Sequence, residues 1–113
     1  MKGARPVMRV ITDPGGTSVV VEADGEALGD VTVWSDGGIV RLRFNVPRRH
    51  LPATARRDLV DAVFALPELD WRGPVQAAIP LGDADLLAGL RVHLGEVETR
   101  AAGATCLIDA TLE

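Results

Sequence analysis

The chain has 113 residues, 47% of them hydrophobic and 25% charged, and a formal net charge of −4. That size and balance fit one globular domain, residues 1–113, able to bury a core without staples, and they exclude a disordered chain. The acidic balance argues against a nucleic-acid binder, Cys106 has no second cysteine to pair with, and no apolar run approaches the roughly 18 residues of a membrane span. Residues 1–6 read as a loose lead-in with no apolar stretch behind their charges, which points to a cytoplasmic protein.

Val7 to Thr12 reads as a short strand, followed by the turn Asp13-Pro14-Gly15-Gly16. Thr17 to Ala23 is valine-rich and strand-like, with Val19 and Val21 on one face. Asp24-Gly25 is a two-residue hairpin signal. Glu26 to Ser35 returns as the next strand, with Leu28, Asp30, Thr32 and Trp34 on one face and Gly29, Val31 and Val33 on the other. After Asp36-Gly37-Gly38, Ile39 to Val46 sets Val40, Leu42, Phe44 and Val46 opposite Ile39, Arg41, Arg43 and Asn45.

Pro47 to Ala53 is a basic loop, and Thr54 is placed to cap a helix running to Leu66. Leu59, Ala62, Val63 and Leu66 recur at helical spacing, with Arg56, Arg57, Asp58 and Asp61 opposite. Pro67 ends this helix, and Glu68 to Pro74 is a loop holding Trp71. Val75 to Ile79 has the pattern of a central strand buried on both faces. Asp83 is a good cap for a second helix, with Leu86, Leu87, Leu90 and Leu94 as its apolar stripe, Arg91 and His93 suited to the dipole at its end, and Gly95 as its natural stop. Glu96 to Ala101 and Ala104 to Leu112 read as two strands turning at Ala102-Gly103. The order is βββ-α-β-α-ββ after one possible leading strand, an α+β fold with a mixed, mostly antiparallel sheet and two main helices packed on it.

That order, from about Thr17 to Leu112, resembles the core of the GCN5-related N-acetyltransferase (GNAT) family. In that family the loop after the central strand, and the helix behind it, hold the coenzyme A pyrophosphate on free amides, and the loop usually carries Arg or Gln and then two spaced small residues, mostly glycines, as in Arg-x-x-Gly-x-Gly. Here Arg49, Pro52 and Thr54 fall at that spacing, so both glycines are replaced. The resemblance places coenzyme A or acetyl-coenzyme A on Val46, Arg48, Arg49, Thr54, Ala55, Arg56 and Arg57, with arginines standing in for the glycine amides. Leu81 to Leu94 is similar to the family's Asn-x-x-Ala-x-x-Leu-Tyr helix, but the chain contains no tyrosine. Its third strand carries Arg41 and Arg43 where family members often place an acid, and the family's helical segment between its first two strands is missing. The resemblance therefore implies a short, degenerate member that is non-catalytic and binds a partner or an anionic ligand. The alternative is an acyl-coenzyme A-dependent N-acetyltransferase using an arginine-rich pyrophosphate loop.

Half of the 12 basic residues fall between Arg41 and Arg57. Read functionally, Arg41, Arg43, Arg48, Arg49, Arg56 and Arg57 form an anion site, since guanidinium forks match phosphate. Read structurally, they are a solvated face balanced by Asp58 and Asp61. His50 is either a phosphate contact or simply exposed, and Cys106 reads as a small buried hydrophobe. Asp30 is the one carboxylate placed to act as a base, against its reading as an edge-strand acid. Trp71 is a lid on the core or a partner anchor. Two distant histidines and one cysteine make no metal set. Open sheet edges leave room for a second copy or a protein partner.

Overall fold

Alternating apolar residues separated by turn residues fold into strands, and the two 3.6-period stretches fold into helices. In the computed structural model, which describes residues 6–47 and 51–113, the order is β1 Val7–Asp13, β2 Gly16–Ala23, β3 Glu26–Asp36, β4 Ile39–Asn45, α1 Ala53–Phe64, a 3-10 turn Pro67–Leu69, β5 Gly73–Pro80, α2 Ala84–His93, β6 Gly95–Ala102 and β7 Thr105–Leu112. Among the described residues seven strands make one sheet in the order β1-β2-β3-β4-β5-β7-β6. Every pair is antiparallel except β4 and β5, which run parallel with α1 as their crossover. The α+β class, the mixed sheet and the two packed helices expected from the sequence are all present.

The turns follow their residues. Asp24 and Gly25 both take positive φ, 55° and 78°, as a tight hairpin demands. Asp13 pairs with Gly16, so β1 passes to β2 through Pro14 and Gly15 alone, and Asp13 Oδ1 accepts from the Gly15 amide at 2.9 Å. Val19, Val21, Val31, Val33, Val40, Leu42 and Phe44 are buried on one sheet face with Val75, Ala77, Ile79 and Ile108. Leu59, Val60 and Val63 of α1 and Leu86 and Leu90 of α2 belong to the same core.

Four expectations change. The strand β5 is central but covered on one face only: Val75, Ala77 and Ile79 are buried while Gln76 and Ala78 are half-exposed, because both helices pack on the same side. Helix α1 starts one residue early and stops at Phe64, so Thr54 is not its cap; Pro52 takes that position with φ −68° and ψ 165°. Arg56, expected on the solvent side of α1, is buried. Gly95 does not stop α2; Leu94 leaves the helix in extended backbone, Gly95 opens β6 opposite Thr111, and Glu96 carries the left-handed φ of 52° at the irregularity that follows. No helix of the described residues is long and apolar enough to cross a membrane.

Candidate functional site

The parallel ladder between β4 and β5 is short. It pairs Val40 to Arg43 with Val75 to Ala78 and ends there. Beyond it each strand stays with its other neighbour: Asn45 with Asp30 of β3, Ile79 with Cys106 and Pro80 with Thr105 of β7. The sheet therefore splits at Arg43 and Ala78. The gap is a cleft of about 260 Å³ lined by Phe44, Val46, Pro47, Ile79, Pro80 and Thr105, with Arg43 and Ala78 at its closed end.

The N-terminus of α1 follows directly on this cleft in sequence. Its cap, Pro52, makes no side-chain hydrogen bond, and the first turn holds no acid. The earliest backbone bond of the helix is Arg56 N to Pro52 O at 3.0 Å, so the amides before it have no intrahelical acceptor. Among the described residues the positive end of the helix dipole thus meets neither a capping side chain nor a first-turn acid beside the split. Thr54 is exposed, Ala55 is buried beneath it, Arg57 is exposed and Val46 forms part of the cleft wall.

Arg56 lies beneath this turn. Its Nε donates to Leu51 O at 2.9 Å and one Nη to Pro47 O at 3.1 Å, while the other pairs with the Asp83 carboxylate. Asp83 in turn accepts from the Leu86 amide at 3.1 Å and caps α2. One buried guanidinium thus joins both sides of the β4–α1 loop to the start of the second helix. Arg48, Arg49 and His50 lie outside the described residues.

The four described members of the expected arginine group, Arg41, Arg43, Arg56 and Arg57, do not gather at one place. Arg41 and Arg43 alternate with the buried Val40 and Leu42, so they stand on the uncovered sheet face, opposite the helices that carry Arg56 and Arg57. There a second cavity of about 380 Å³ is bordered by Trp34, Arg41, Arg43, Gln76, Arg100 and Asp109. Arg41 donates to Gln76 Oε1 at 2.6 Å and lies 3.2 Å from Asp36. Asp30 shares this face with Trp34, two residue pairs along β3.

The remaining singled-out residues sit elsewhere. His93, at the end of α2, stacks on Phe64 of α1 with ring centroids 4.4 Å apart, and its Nε2 is 2.9 Å from Asp61 Oδ1. Cys106 is buried and free. Trp71 packs against the core, in keeping with a lid. Among the described residues, no three of His, Cys, Asp and Glu gather where they could hold a metal ion. Sequence reasoning found Asp83 as a cap but not as the partner of Arg56, and it passed over Gln76, Arg100 and Asp109. Their period-2 spacing was readable, but the strand order that brings them together was not.

No family profile matches the chain, and no curated protein does. Solved structures do match in fold. A protein assigned as an acetyltransferase from Sphaerobacter thermophilus superimposes with a TM-score of 0.62 at 13% identity, covering 88% of this chain and 71% of that one. A GNAT-family acetyltransferase from Streptococcus pneumoniae gives 0.61 at 13% identity, covering 90% and 70%. A Salmonella typhimurium protein assigned as an acetyltransferase, solved with its cofactor acetyl-CoA, gives 0.55 at 16% identity, covering 87% and 64%. The split between parallel β4 and β5, followed by an uncapped helix, thus lies within the fold of the GNAT acetyltransferases, and that fold is what this chain carries.

Proposed function

We propose that this domain binds coenzyme A or an acyl-coenzyme A in the cleft between β4 and β5, and acts as a binding domain rather than as a transferase. One observation carries the reading: the β4–β5 ladder stops at Arg43 and Ala78, and the gap leads to a helix start with neither cap nor acid. The residues present fit such a ligand. Phe44, Val46 and Ile79 give the cleft apolar walls for an extended thioester arm, and the open amides of α1 suit phosphate. Arg57 stands exposed on the same first turns of the helix. Arg56 is a positioning residue in this reading: it holds Pro47 and Leu51, the described residues on either side of the basic loop.

Binding is favoured over catalysis because the described residues lining the cleft include no carboxylate and no histidine, and the chain has no tyrosine. Calorimetric titration with coenzyme A and with acetyl-coenzyme A tests the reading. Micromolar binding of both, without acetyl transfer to a panel of primary amines, is the expected result.

One observation favours the second reading, an acyl-coenzyme A-dependent N-acetyltransferase. The cavity on the uncovered face shares Arg43 and Ala78 with the cleft, so a second molecule there would meet its closed end. Turnover of acetyl-coenzyme A with any amine of that panel would establish it.

Self-association belongs to the same proposal. The edge strand β1 exposes Val7, Val10 and Ile11, and among the described residues no strand pairs with its outer side, which leaves room for a second copy. Sedimentation of the wild type against Ile11→Lys separates a dimer built on this edge from a monomer.

A further inference from the structure

The uncovered sheet face has an order of its own. Residues facing each other across neighbouring strands form two parallel rows. One row reads Thr32, Arg43, Ala78, Leu107, Arg100; the next reads Trp34, Arg41, Gln76, Asp109, Glu98. In the first row two arginines flank a floor of one small and one larger apolar side chain. By strand spacing they stand about 14 Å apart, a gap that long guanidinium arms can narrow from both sides. Among the described residues, Arg43 and Arg100 have no carboxylate partner, unlike Arg41, which leans on Asp36 and Gln76. The second row ends in two acids, Asp109 and Glu98, about 7 Å along the strands from the first. The face therefore has a basic row, with an apolar floor between its two arginines, and a pair of acids in the row beside it. Trp34 closes one side of the roughly 380 Å³ cavity above it.

We propose that this face is a binding site for a small amino carboxylate. Its carboxylate sits between Arg43 and Arg100, its ammonium faces Asp109 with Glu98 beside it, and its apolar body fills the rest of the cavity toward Trp34. A simple anion would lack a reason for the two acids, and a simple amine would lack one for the two unpaired arginines. Guanidinium groups offer paired donors to a carboxylate, and a zwitterion satisfies the arginines and the acids at once. The site lies on the sheet face away from α1 and meets the proposed coenzyme A cleft only at Arg43 and Ala78, which border both.

The test is a nitrogen-15 NMR titration of the full chain with three matched compounds: L-leucine, isopentylamine, which lacks the carboxylate, and 4-methylpentanoate, which lacks the amine. L-leucine should shift the amides of Arg100, Leu107 and Asp109, which do not border the coenzyme A cleft, with 4-methylpentanoate weaker and isopentylamine weakest. Arg43→Gln and Arg100→Gln should each weaken L-leucine about tenfold. Asp109→Asn should remove the advantage of L-leucine over 4-methylpentanoate. Both arginines and Asp109 are exposed, so these variants keep the fold, and unchanged spectra elsewhere verify it. Isopentylamine binding as well as L-leucine, or no shift up to the solubility limit of L-leucine, overturns the proposal. A coenzyme A response would instead appear at Val46 and Ala53 to Ala55, so the two readings fail separately.

Discussion

Arg56 of α1 is paired with Asp83, the cap of α2, and both side chains are almost fully withdrawn from solvent, at 6% and 4% exposure. This contact ties two helix starts together, and through Arg56 to Pro47 and Leu51. Arg56 also holds Pro47 and Leu51, while Asp83 also holds Leu86. A buried ion pair adds little net stability over an apolar pair of the same shape, but removing one member leaves a stranded charge. Arg56→Met should therefore cost about 3–5 kcal/mol in urea unfolding. Asp83→Asn keeps a capping side chain but strands the guanidinium, and should cost a similar amount. The double variant should cost clearly less than the two single costs added together, because the penalties share one cause. Additive costs would show that the pair is not a unit.

Trp71 gives a second prediction. The side chain packs on Gly73, where a Cβ would lie 2.9 Å from the indole ring, and Gly73 takes φ 150° to allow it. The indole N–H is buried and has no partner among the described residues. Trp71→Phe keeps most of the packing and removes the stranded donor, so thermal unfolding should change by less than about 1 kcal/mol. Trp71→Ala should cost about 3 kcal/mol or more by opening a cavity. A larger loss for Phe than for Ala would contradict the lid role.

Where the two helices meet, Gly89 lies against Val60. A Cβ at Gly89 would be 3.2 Å from Val60 Cγ2, closer than such contacts normally run. Small size, not backbone freedom, is what this position needs. Gly89→Val should lower stability by about 1–3 kcal/mol through overpacking. Val60→Ala in the same chain should recover part of it, and denaturant midpoints of the three variants check this.

Gly16 serves a different need. It begins β2 with φ 148°, and a Cβ there would meet the Val33 carbonyl oxygen at 2.4 Å. Backbone cannot move aside as a side-chain tip can. Gly16→Ala should cost about 1–3 kcal/mol, whereas alanine at Gly37 meets nothing within 4 Å and bears only the cost of its φ of 61°.

Much of the fold was legible because alternation and turn chemistry are local signals. The Asp24-Gly25 hairpin, the Val19/Val21 and Val31/Val33 faces and the Asp83 cap could each be read from a few neighbouring residues. Arg56 could not. Helical spacing assigns an arginine to the solvent side by its charge, and only tertiary contact with Asp83, 27 positions later, makes burial tolerable. The one-sided burial of β5 escaped for the same reason. Its apolar run fits cover on both faces, and what leaves Gln76 and Ala78 open is that α1 and α2 pack on one side. The candidate site was legible as a loop and a helix start. The cleft itself arises from where β4 and β5 part, which depends on pairing with β3 and β7.

The coenzyme A reading rests on an uncapped, acid-free turn at the start of α1, and Thr54 allows that turn to be tested without harming the fold. The side chain is exposed in the first turn, so Thr54→Asp places a carboxylate on the positive end of the helix. That should raise unfolding stability by about 0.3–1 kcal/mol. The same carboxylate would occupy the place proposed for phosphate and repel it. Calorimetric titration of coenzyme A into wild type and Thr54→Asp is therefore the decisive measurement. Micromolar binding by the wild type, and a loss of about tenfold or more in a variant at least as stable, are expected. Equal binding by both proteins, or no binding by the wild type at millimolar coenzyme A, would contradict that reading.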